Sequence, residues 1–154
     1  MKVYFLRHGK ADWVDWDKPD DERPLTKGGK QEMREIARFL AKLGVAPSDI
    51  LSSPLPRAWQ TAEIAAKALK VAVREEPLLK KGFNAAKLAT VLRGTKGGDV
   101  MVVGHDPDFS ATIRELTGGL VSLKKGGLAR VDLEDKSATH GTLVWLIPPK
   151  IARA

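Results

Sequence analysis

Two histidines and two arginines of this sequence fall directly after predicted β-strands. Arg7 and His8 follow a short apolar run at the start of the chain, and His105 follows a longer one. Arg57 lies in the first turn of the helix that comes after another predicted strand. The carboxyl ends of parallel strands meet at one edge of a sheet, where ligands bind in α/β folds. We therefore expect these four side chains to lie close together.

The chemistry of these four side chains matches a phosphoryl group. A guanidinium group pairs with two phosphate oxygens at once and keeps its charge, and helix N-termini add backbone N–H donors. A neutral imidazole is a good nucleophile near neutral pH, and neighbouring positive charges favour this neutral form. His8 is therefore a candidate to attack phosphorus itself, with His105 as a further donor when it is protonated.

The same residues carry a resemblance to a known family. Residues 6–9 (LRHG) resemble the RHG motif of the histidine phosphatase superfamily, the phosphoglycerate-mutase-like proteins. Residues 53–62 (SPLPRAWQTA) are similar to its second arginine motif, and residues 103–105 (VGH) match its second histidine. Residues 24–26 (PLT) together with Gly29 resemble its LT-x-x-G helix start. Four motifs in the family order are far more specific than RHG alone.

The short chain and the string GHDP at residues 104–107 resemble the branch of SixA-type phosphohistidine phosphatases. The resemblance implies that His8 is the nucleophile that becomes phosphorylated. It also implies that three further side chains complete the phosphate pocket: Arg7, Arg57 and His105. Substrate contacts are expected from three neighbouring residues: Gly9, Ser53 and Asp106. No metal ion or other cofactor is implied.

The proton donor is the point at which the sequence departs from the family pattern. Many members carry a glutamate after the third strand in a Leu-x-Glu context, whereas this slot holds Leu78 here. Glu75 and Glu76 lie close to the slot but out of register with it. Asp12 and Glu75 are the candidate donors, and the alternative is a reaction that needs no donor.

The charge distribution indicates an anionic partner. The 26 lysine and arginine residues exceed the 19 aspartate and glutamate residues, which gives a net charge of +7. Six of the acids lie within residues 12–22, so the rest of the chain holds 25 bases against 13 acids. Such a surface attracts phosphorylated molecules, acidic proteins or nucleic acid. Trp13 and Trp16 lie among acids instead of among bases, which argues against nucleic acid, so we expect a phosphorylated protein as the partner.

The composition excludes several functional classes. The chain contains no cysteine, which rules out disulfides, thiol catalysis and thiolate metal sites. Three histidines without cysteine also argue against a dedicated zinc site. The sequence contains no run of about 18 apolar residues, so no transmembrane helix is predicted. We expect a cytoplasmic protein that does not contact membranes, and the sequence does not indicate its oligomeric state.

Strands and helices alternate along most of the chain, which predicts an α/β fold. We expect a three-layer α/β/α sandwich with a mainly parallel central sheet, in a single domain over residues 1–154. Strands are predicted at residues 3–6, 49–53, 71–74, 99–104, 129–133 and 142–147. Helices are predicted at residues 28–43, 54–69, 85–92 and 107–117, the last with Asp106 as its N-cap and Pro107 as its first residue. Residues 10–25 are predicted to form a loop.

The interpretation that combines these features is a metal-independent phosphatase acting on phosphohistidine, carried on a protein, through a phosphohistidine intermediate on His8. Only 47 residues separate Arg57 from His105, which leaves no room for a lid domain that would enclose a small metabolite. Imidazole, with a pKa of roughly 6.5 for its protonated form, leaves far more readily than an alkoxide in a site weak in general acid. Two alternatives stay open: a small-molecule phosphomonoesterase or mutase on the same fold, and a non-catalytic basic module that binds phosphoprotein or nucleic acid.

Overall fold

Six β-strands form one mixed sheet in the computed structural model, which describes residues 1–154. In chain order they are β1 (Lys2–Arg7), β2 (Asp49–Ser52), β3 (Val73–Glu75), β4 (Val100–Gly104), β5 (Leu128–Leu133) and β6 (Gly141–Ile147). Across the sheet the order is β3-β2-β4-β1-β5-β6. The first four strands in this order are parallel, and β5 and β6 run antiparallel to their neighbours. The predicted mainly parallel sheet is confirmed.

Helices cover both faces of the sheet, which confirms the three-layer sandwich. They are α1 (Lys27–Lys42), α2 (Pro56–Leu69), α3 (Ala85–Arg93), α4 (Asp108–Thr117) and α5 (Pro149–Ala152). The first two pack on one face of the sheet, and α3 and α4 pack on the other. The sequence does not predict α5 because its four residues are too few for a periodic apolar pattern. None of these helices combines the length and the apolar character that crossing a membrane requires.

The core lies on both sides of the central strands because the side chains of a strand alternate between the two faces. Val3 and Phe5 of β1 lie in the apolar cluster formed with α3 and α4, whereas Tyr4 and Leu6 lie in the cluster formed with α1 and α2. All five residues of β4 are buried. Strands that are buried on both faces have continuous apolar sequences, which explains why β4 was predictable.

The start of α1 packs closely against the segment that follows β1. Thr26 is the N-cap of this helix, and its Oγ1 accepts a hydrogen bond from the N–H of Gly29 at 3.0 Å. A Cβ atom at Gly29 would lie 2.2 Å from the carbonyl oxygen of Lys10. Glycine is therefore required for this close approach, which gives the LT-x-x-G pattern a physical reason.

The predicted start of α4 is wrong by one residue. The helix begins at Asp108, and Pro107 is its N-cap in place of Asp106. The Asp106 carboxylate instead accepts a hydrogen bond from the N–H of Ser110 at 2.9 Å. The Asp106 side chain thus accepts from a backbone N–H of the first turn, as an N-cap side chain does, but from the position before the N-cap. This shared role explains why Asp106 was predicted to be the N-cap.

Candidate active site

The register of the central strands sets the position of the site. Arg7 pairs with Gly104 across β1 and β4. Just past this pair, the N–H of His8 donates to the carbonyl oxygen of Gly104 at 3.0 Å. The N–H of Ser53, just past β2, donates to the carbonyl oxygen of Val103 at 2.9 Å. The residues that follow β1, β2 and β4 therefore meet at one edge of the sheet.

The His8 ring is buried and has a defined tautomer. Its Nδ1 lies 2.7 Å from the carbonyl oxygen of Gly9, and because a carbonyl oxygen only accepts, Nδ1 carries the hydrogen. Burial lowers the pKa of His8 to about 3, against the opposing effect of the hydrogen bond to Gly9. The nearby charges of Arg57 and Arg7 act in the same direction as burial. The ring is therefore neutral at neutral pH, with the Nε2 lone pair available to attack an electrophile.

The His105 ring lies beside His8, with 5.3 Å between the ring centroids. Its Nε2 lies 2.8 Å from Oγ of Ser53. Because the N–H of Leu55 donates to the same Oγ at 3.2 Å, the hydroxyl hydrogen of Ser53 is free to donate to Nε2. Burial, followed by the charge of Arg57, lowers the pKa of His105 to about 4. With Ser53 as the donor, the neutral ring carries its own hydrogen on Nδ1, which is buried without a partner.

The two arginines each use one nitrogen on a backbone carbonyl and leave another without a partner. Nη1 of Arg7 donates to the carbonyl oxygen of Leu123 at 2.9 Å, and Nη1 of Arg57 donates to that of Asp20 at 3.2 Å. The Nε atoms of both side chains are buried and unpartnered. Burial, followed by the charge of Arg23, lowers the pKa of Arg57, although a guanidinium group stays charged at neutral pH.

Three of the four buried side-chain polar atoms without a hydrogen-bond partner belong to this one site. They are Nε of Arg7, Nε of Arg57 and Nδ1 of His105, and all three are nitrogens that can donate. A buried donor without a partner costs about 1–3 kcal/mol, so such groups are rare in folded proteins. Their concentration next to a neutral histidine provides donors for an anion, such as the non-bridging oxygens of a phosphoryl group.

Thr61 links the His8 segment to α2, a role that was not predicted from the sequence. The N–H of Gly9 donates to Oγ1 of Thr61 at 3.0 Å, and this hydroxyl donates to the carbonyl oxygen of Arg57 at 2.8 Å. A Cβ atom at Gly9 would lie 2.7 Å from Cγ of Met33 in α1. The N–H of Gly9 is therefore used inside the fold. The position of Thr61 within the second arginine motif marks it as a residue near the site, although its hydrogen-bond partners do not follow from the motif.

Two other residues expected to contact substrate also have partners within the protein. Ser53 is fully buried and bonded to His105, so its hydroxyl positions that ring. The Asp106 carboxylate accepts hydrogen bonds from the N–H and the hydroxyl of Ser110, at 2.9 and 2.7 Å. Asp106 and His105 nevertheless both line a cleft of about 300 Å³ at the sheet edge.

Neither candidate proton donor is arranged to give up a proton in the site. Asp12 pairs with Lys125 at 2.6 Å, and this hydrogen bond is the main cause that lowers the pKa of Asp12. The Asp12 carboxyl is therefore ionised at neutral pH and has no proton to donate. Glu75 is exposed in β3 and does not line the cleft. Glu76 accepts a hydrogen bond from the N–H of Leu78 at 3.2 Å.

The acidic loop, residues 12–22, contacts both sides of the candidate site. At one end Asp12 pairs with Lys125, and at the other end Asp21 pairs with Lys81 at 3.1 Å. Between them the carbonyl oxygen of Asp20 accepts the hydrogen bond from Arg57. The sequence predicted a loop here but not these contacts, because they join residues far apart in the chain.

Comparison with known proteins identifies the family. The family model of the histidine phosphatase superfamily (branch 1) matches residues 3–81. An uncharacterized protein of Picosynechococcus is 37% identical over 137 residues, which cover 83% of this chain and 82% of that protein. Phosphohistidine phosphatase SixA of Escherichia coli is 30% identical over 164 residues, which cover 100% of this chain and 99% of SixA. A structure of the protein histidine phosphatase SixA complexed with tungstate has a TM-score of 0.85 at 29% identity, covering 97% of this chain and 98% of that one. The chain belongs to the histidine phosphatase superfamily.

Proposed function

We propose that this protein is a metal-independent phosphatase that hydrolyses phosphohistidine, carried on a protein, through a phosphohistidine intermediate on His8. Membership of the histidine phosphatase superfamily supports phosphatase activity. The similarity to SixA along the whole chain supports phosphohistidine as the substrate. The observation that carries the proposal is the neutral His8 ring with a free Nε2, close to three buried nitrogen donors that lack partners.

The reaction takes two displacement steps at phosphorus. In the first step, the Nε2 lone pair of His8 attacks phosphorus in line with the P–N bond of the substrate. That bond breaks, and its electron pair leaves with the substrate imidazole, which departs as a neutral ring because its second nitrogen already carries a proton. In the second step, water attacks the phosphorus of phospho-His8 and gives up a proton to the solvent. The P–N bond breaks, its electron pair returns to Nε2 of His8, and inorganic phosphate leaves. The carbonyl oxygen of Gly9 holds the Nδ1 hydrogen throughout and keeps the ring oriented.

The remaining donors stabilise the charge on the transferred group. Arg7, Arg57 and His105 bind the non-bridging oxygens through the nitrogens that have no partner inside the protein. Donors that are already in place where charge develops stabilise a transition state more than mobile water does. The two guanidinium charges take the part that a metal ion plays in other phosphatases, which supports metal independence.

The lack of an available acid favours phosphohistidine over alcohol esters. An alkoxide leaving group is a strong base and needs a proton as it departs. The carboxylate of Asp12 is held ionised by Lys125, and that of Asp106 is bonded to Ser110. A substrate imidazole whose second nitrogen is protonated needs no such help, because it leaves as a neutral ring and the conjugate acid of that ring has a pKa of roughly 6.5. Catalysis without a general acid therefore costs little for phosphohistidine and much for a sugar phosphate.

The alternative is a small-molecule phosphomonoesterase or mutase on the same fold. The cleft beside His105 favours this alternative, because its volume of about 300 Å³ is large enough for a small phosphorylated metabolite. The cleft wall includes Lys80 and Lys81, which are able to pair with a second anionic group.

Comparing kcat/KM across three substrates separates the two functions. The substrates are a phosphohistidine protein, an aryl phosphate and a sugar phosphate, with His8→Ala as the inactive control. We expect the phosphohistidine protein to exceed the sugar phosphate by about 100-fold or more, the usual size of a general-acid contribution. Aryl phosphate is also hydrolysed because phenolate leaves readily. Equal kcat/KM for the sugar phosphate and the phosphohistidine protein would contradict the proposal.

A further inference from the structure

A second cleft, with a volume of about 500 Å³, lies next to the phosphate pocket on the side of Arg7. We name it the basic groove, after the six cationic residues that line it: Arg7, Lys10, Lys124, Lys125, Lys150 and Arg153. Its other lining residues are Glu32 and Pro149. Most of the groove is formed by three segments that meet at the sheet edge: the residues after β1, the turn before β5, and α5.

The groove is continuous with the phosphate pocket. The turn that carries Lys124 and Lys125 is bonded to the His8 segment, because the N–H of Gly126 donates to the carbonyl oxygens of Arg7 and His8 at 3.1 and 2.9 Å. Arg7 belongs to both sites, since its unpartnered Nε is one of the three phosphate donors and its side chain lines the groove. A phosphoryl group bound at His8 therefore lies directly beside the basic groove.

A buried carboxylate holds two of the cations in place. Glu32 of α1, whose side chain is 6% exposed, lies 3.4 Å from Nζ of Lys10 and 2.9 Å from Nη1 of Arg153. Arg153 also pairs with Glu35, so these two cations are held in place by carboxylates of the chain. The excess positive charge of the groove comes from its other cationic residues.

The other lysines of the groove are available to a partner. Lys124 and Lys150 form no ion pair with any carboxylate of the chain, and Lys125 pairs only with the exposed Asp12. An ion pair between exposed side chains contributes little to stability. A carboxylate on another protein can therefore replace Asp12 at little cost.

The lining of the groove favours an acidic protein surface over other anions. Small-molecule sites are mostly apolar, whereas this groove contains no apolar side chain except Pro149. Single-stranded nucleic acid binds by stacking its bases on aromatic side chains, and Trp13 and Trp16 contact each other in the acidic loop, outside the groove. Clustered aspartate and glutamate side chains bind through charge alone, so a groove lined by cations is sufficient for them.

We propose that the basic groove binds an acidic patch that lies beside the phosphohistidine on the substrate protein, an inference that rests on the function proposed above. The phosphoryl group occupies the pocket at His8 while nearby carboxylates of the substrate pair with Lys124, Lys125 and Lys150. Such pairs accelerate encounter at low salt and select among partners by charge. The groove thereby distinguishes acidic phosphohistidine proteins from neutral or basic ones.

The test uses the full chain with Lys124→Ala and Lys150→Ala combined. Neither residue belongs to the catalytic set, and neither has an ion-pair partner, so the change leaves no carboxylate unpaired. The matched control combines Lys67→Ala with Arg38→Ala, which removes the same charge from a groove between α1 and α2. The first measurement is a calorimetric titration with poly-L-glutamate at low salt. The second is kcat/KM for an acidic phosphohistidine protein and for an aryl phosphate.

We expect the groove variant to bind poly-L-glutamate about tenfold more weakly than the wild type, because two of the attracting charges are lost. Its kcat/KM for the acidic phosphohistidine protein falls by about the same factor, while that for aryl phosphate stays within about twofold. The control variant keeps the wild-type affinity for poly-L-glutamate and the wild-type kcat/KM for the acidic phosphohistidine protein. An equal loss in the control variant, no loss in the groove variant, or tighter binding of a single-stranded oligonucleotide than of poly-L-glutamate would each overturn the inference.

A failure of the proposed function gives a different result. In that case the wild-type protein hydrolyses aryl phosphate but no phosphohistidine protein, whatever its charge. The titration with poly-L-glutamate does not depend on turnover. An unchanged affinity of the groove variant for poly-L-glutamate would therefore refute acidic binding in the groove, whatever the substrate of the enzyme is.

Discussion

The hydroxyl group of Ser53 and the imidazole of His105 form a hydrogen bond of 2.8 Å at a site where both side chains are buried. The hydroxyl oxygen also accepts from the N–H of Leu55, and its own hydrogen is able to point to Nε2 of the ring. With Ser53 as the donor, the hydrogen of the neutral ring is on Nδ1, the atom without a partner. In the proposed mechanism, Ser53 thus selects Nδ1 of His105 as the nitrogen that donates to a phosphoryl oxygen.

Removing this hydroxyl should reduce the rate of the chemical step. In Ser53→Ala, His105 is free to take the other tautomer, and one donor to the transition state is lost. We expect kcat to fall by about 10–100-fold with a smaller change in KM, and the nitrogen chemical shifts of His105 to report the altered tautomer. The control is Ser52→Ala, because the Ser52 hydroxyl donates only to the carbonyl oxygen of Ser53. The same kcat and the same His105 shifts in both variants would rule out this role.

The hydroxyl of Thr61 should be needed for both stability and activity. Thr61→Val leaves the buried N–H of Gly9 without an acceptor, which costs about 1–3 kcal/mol in the free energy of unfolding. It also frees the segment that holds the His8 ring, so kcat/KM falls. Thr61→Ser keeps the hydroxyl and should retain most of both quantities, as measured by urea unfolding and by aryl phosphate hydrolysis. A valine variant as stable as the serine variant would show that the hydrogen bond to Gly9 contributes nothing.

The two buried histidines should make the fold sensitive to acid. The pKa of His8 is lowered to about 3 and that of His105 to about 4, whereas an unfolded histidine has a pKa of about 6.5. Between these values the unfolded chain binds more protons, so stability rises with pH. The contribution of the two rings to the free energy of unfolding is fully present above about pH 6.5. It is lost as the pH falls towards their pKa values in the folded protein, by up to about 1.4 kcal/mol per pH unit for each ring.

Urea unfolding at several pH values between about 4.5 and 7 measures this dependence. The double variant His8→Ala with His105→Ala should show a much smaller slope over that range. The control is His140→Ala, since His140 is exposed and its removal should leave the slope of the wild type. A slope that is unchanged in the double variant would assign the acid sensitivity to other groups.

Chelators should leave the activity unchanged. In the proposed mechanism Arg7 and Arg57 supply the positive charge around the transferred group, and no step depends on a metal ion. We expect the same kcat with and without EDTA, and inhibition by tungstate or vanadate through occupation of the phosphate pocket. Loss of activity with EDTA that a divalent cation restores would refute metal independence.

The order of the six strands and of α1 to α4 was predictable because each of these elements has its own local signal, which α5 lacks. The continuous apolar run of β4 is bounded by polar residues and glycine, and Gly94 and Gly118 stand at the ends of α3 and α4. The strand assignments alone were enough to place His8 and His105 at one edge of the sheet. Local sequence patterns were therefore sufficient to predict the fold and to identify the residues that surround the pocket.

Side-chain direction and long-range contacts were not predictable. Nothing local shows that the hydroxyl of Ser53 faces His105, or that the N–H of Gly9 is used by Thr61, because both contacts depend on the register of separate elements. The pair formed by Asp12 and Lys125 joins residues 113 positions apart. Such pairs form only after the sheet has brought the loops together, so the same limit applies to the basic groove.

Trapping the intermediate during turnover tests whether His8 is the nucleophile. The protein is mixed rapidly with a radiolabelled phosphohistidine protein, quenched, and mapped for label. The account predicts label on His8 that is labile in acid and stable in base, as a phosphorus–nitrogen bond is, and that appears and decays at least as fast as kcat. It also predicts no label and less than about 1% of the wild-type kcat in a folded His8→Ala variant. Turnover by the wild type with no label on His8, or turnover that persists in His8→Ala, would contradict the account.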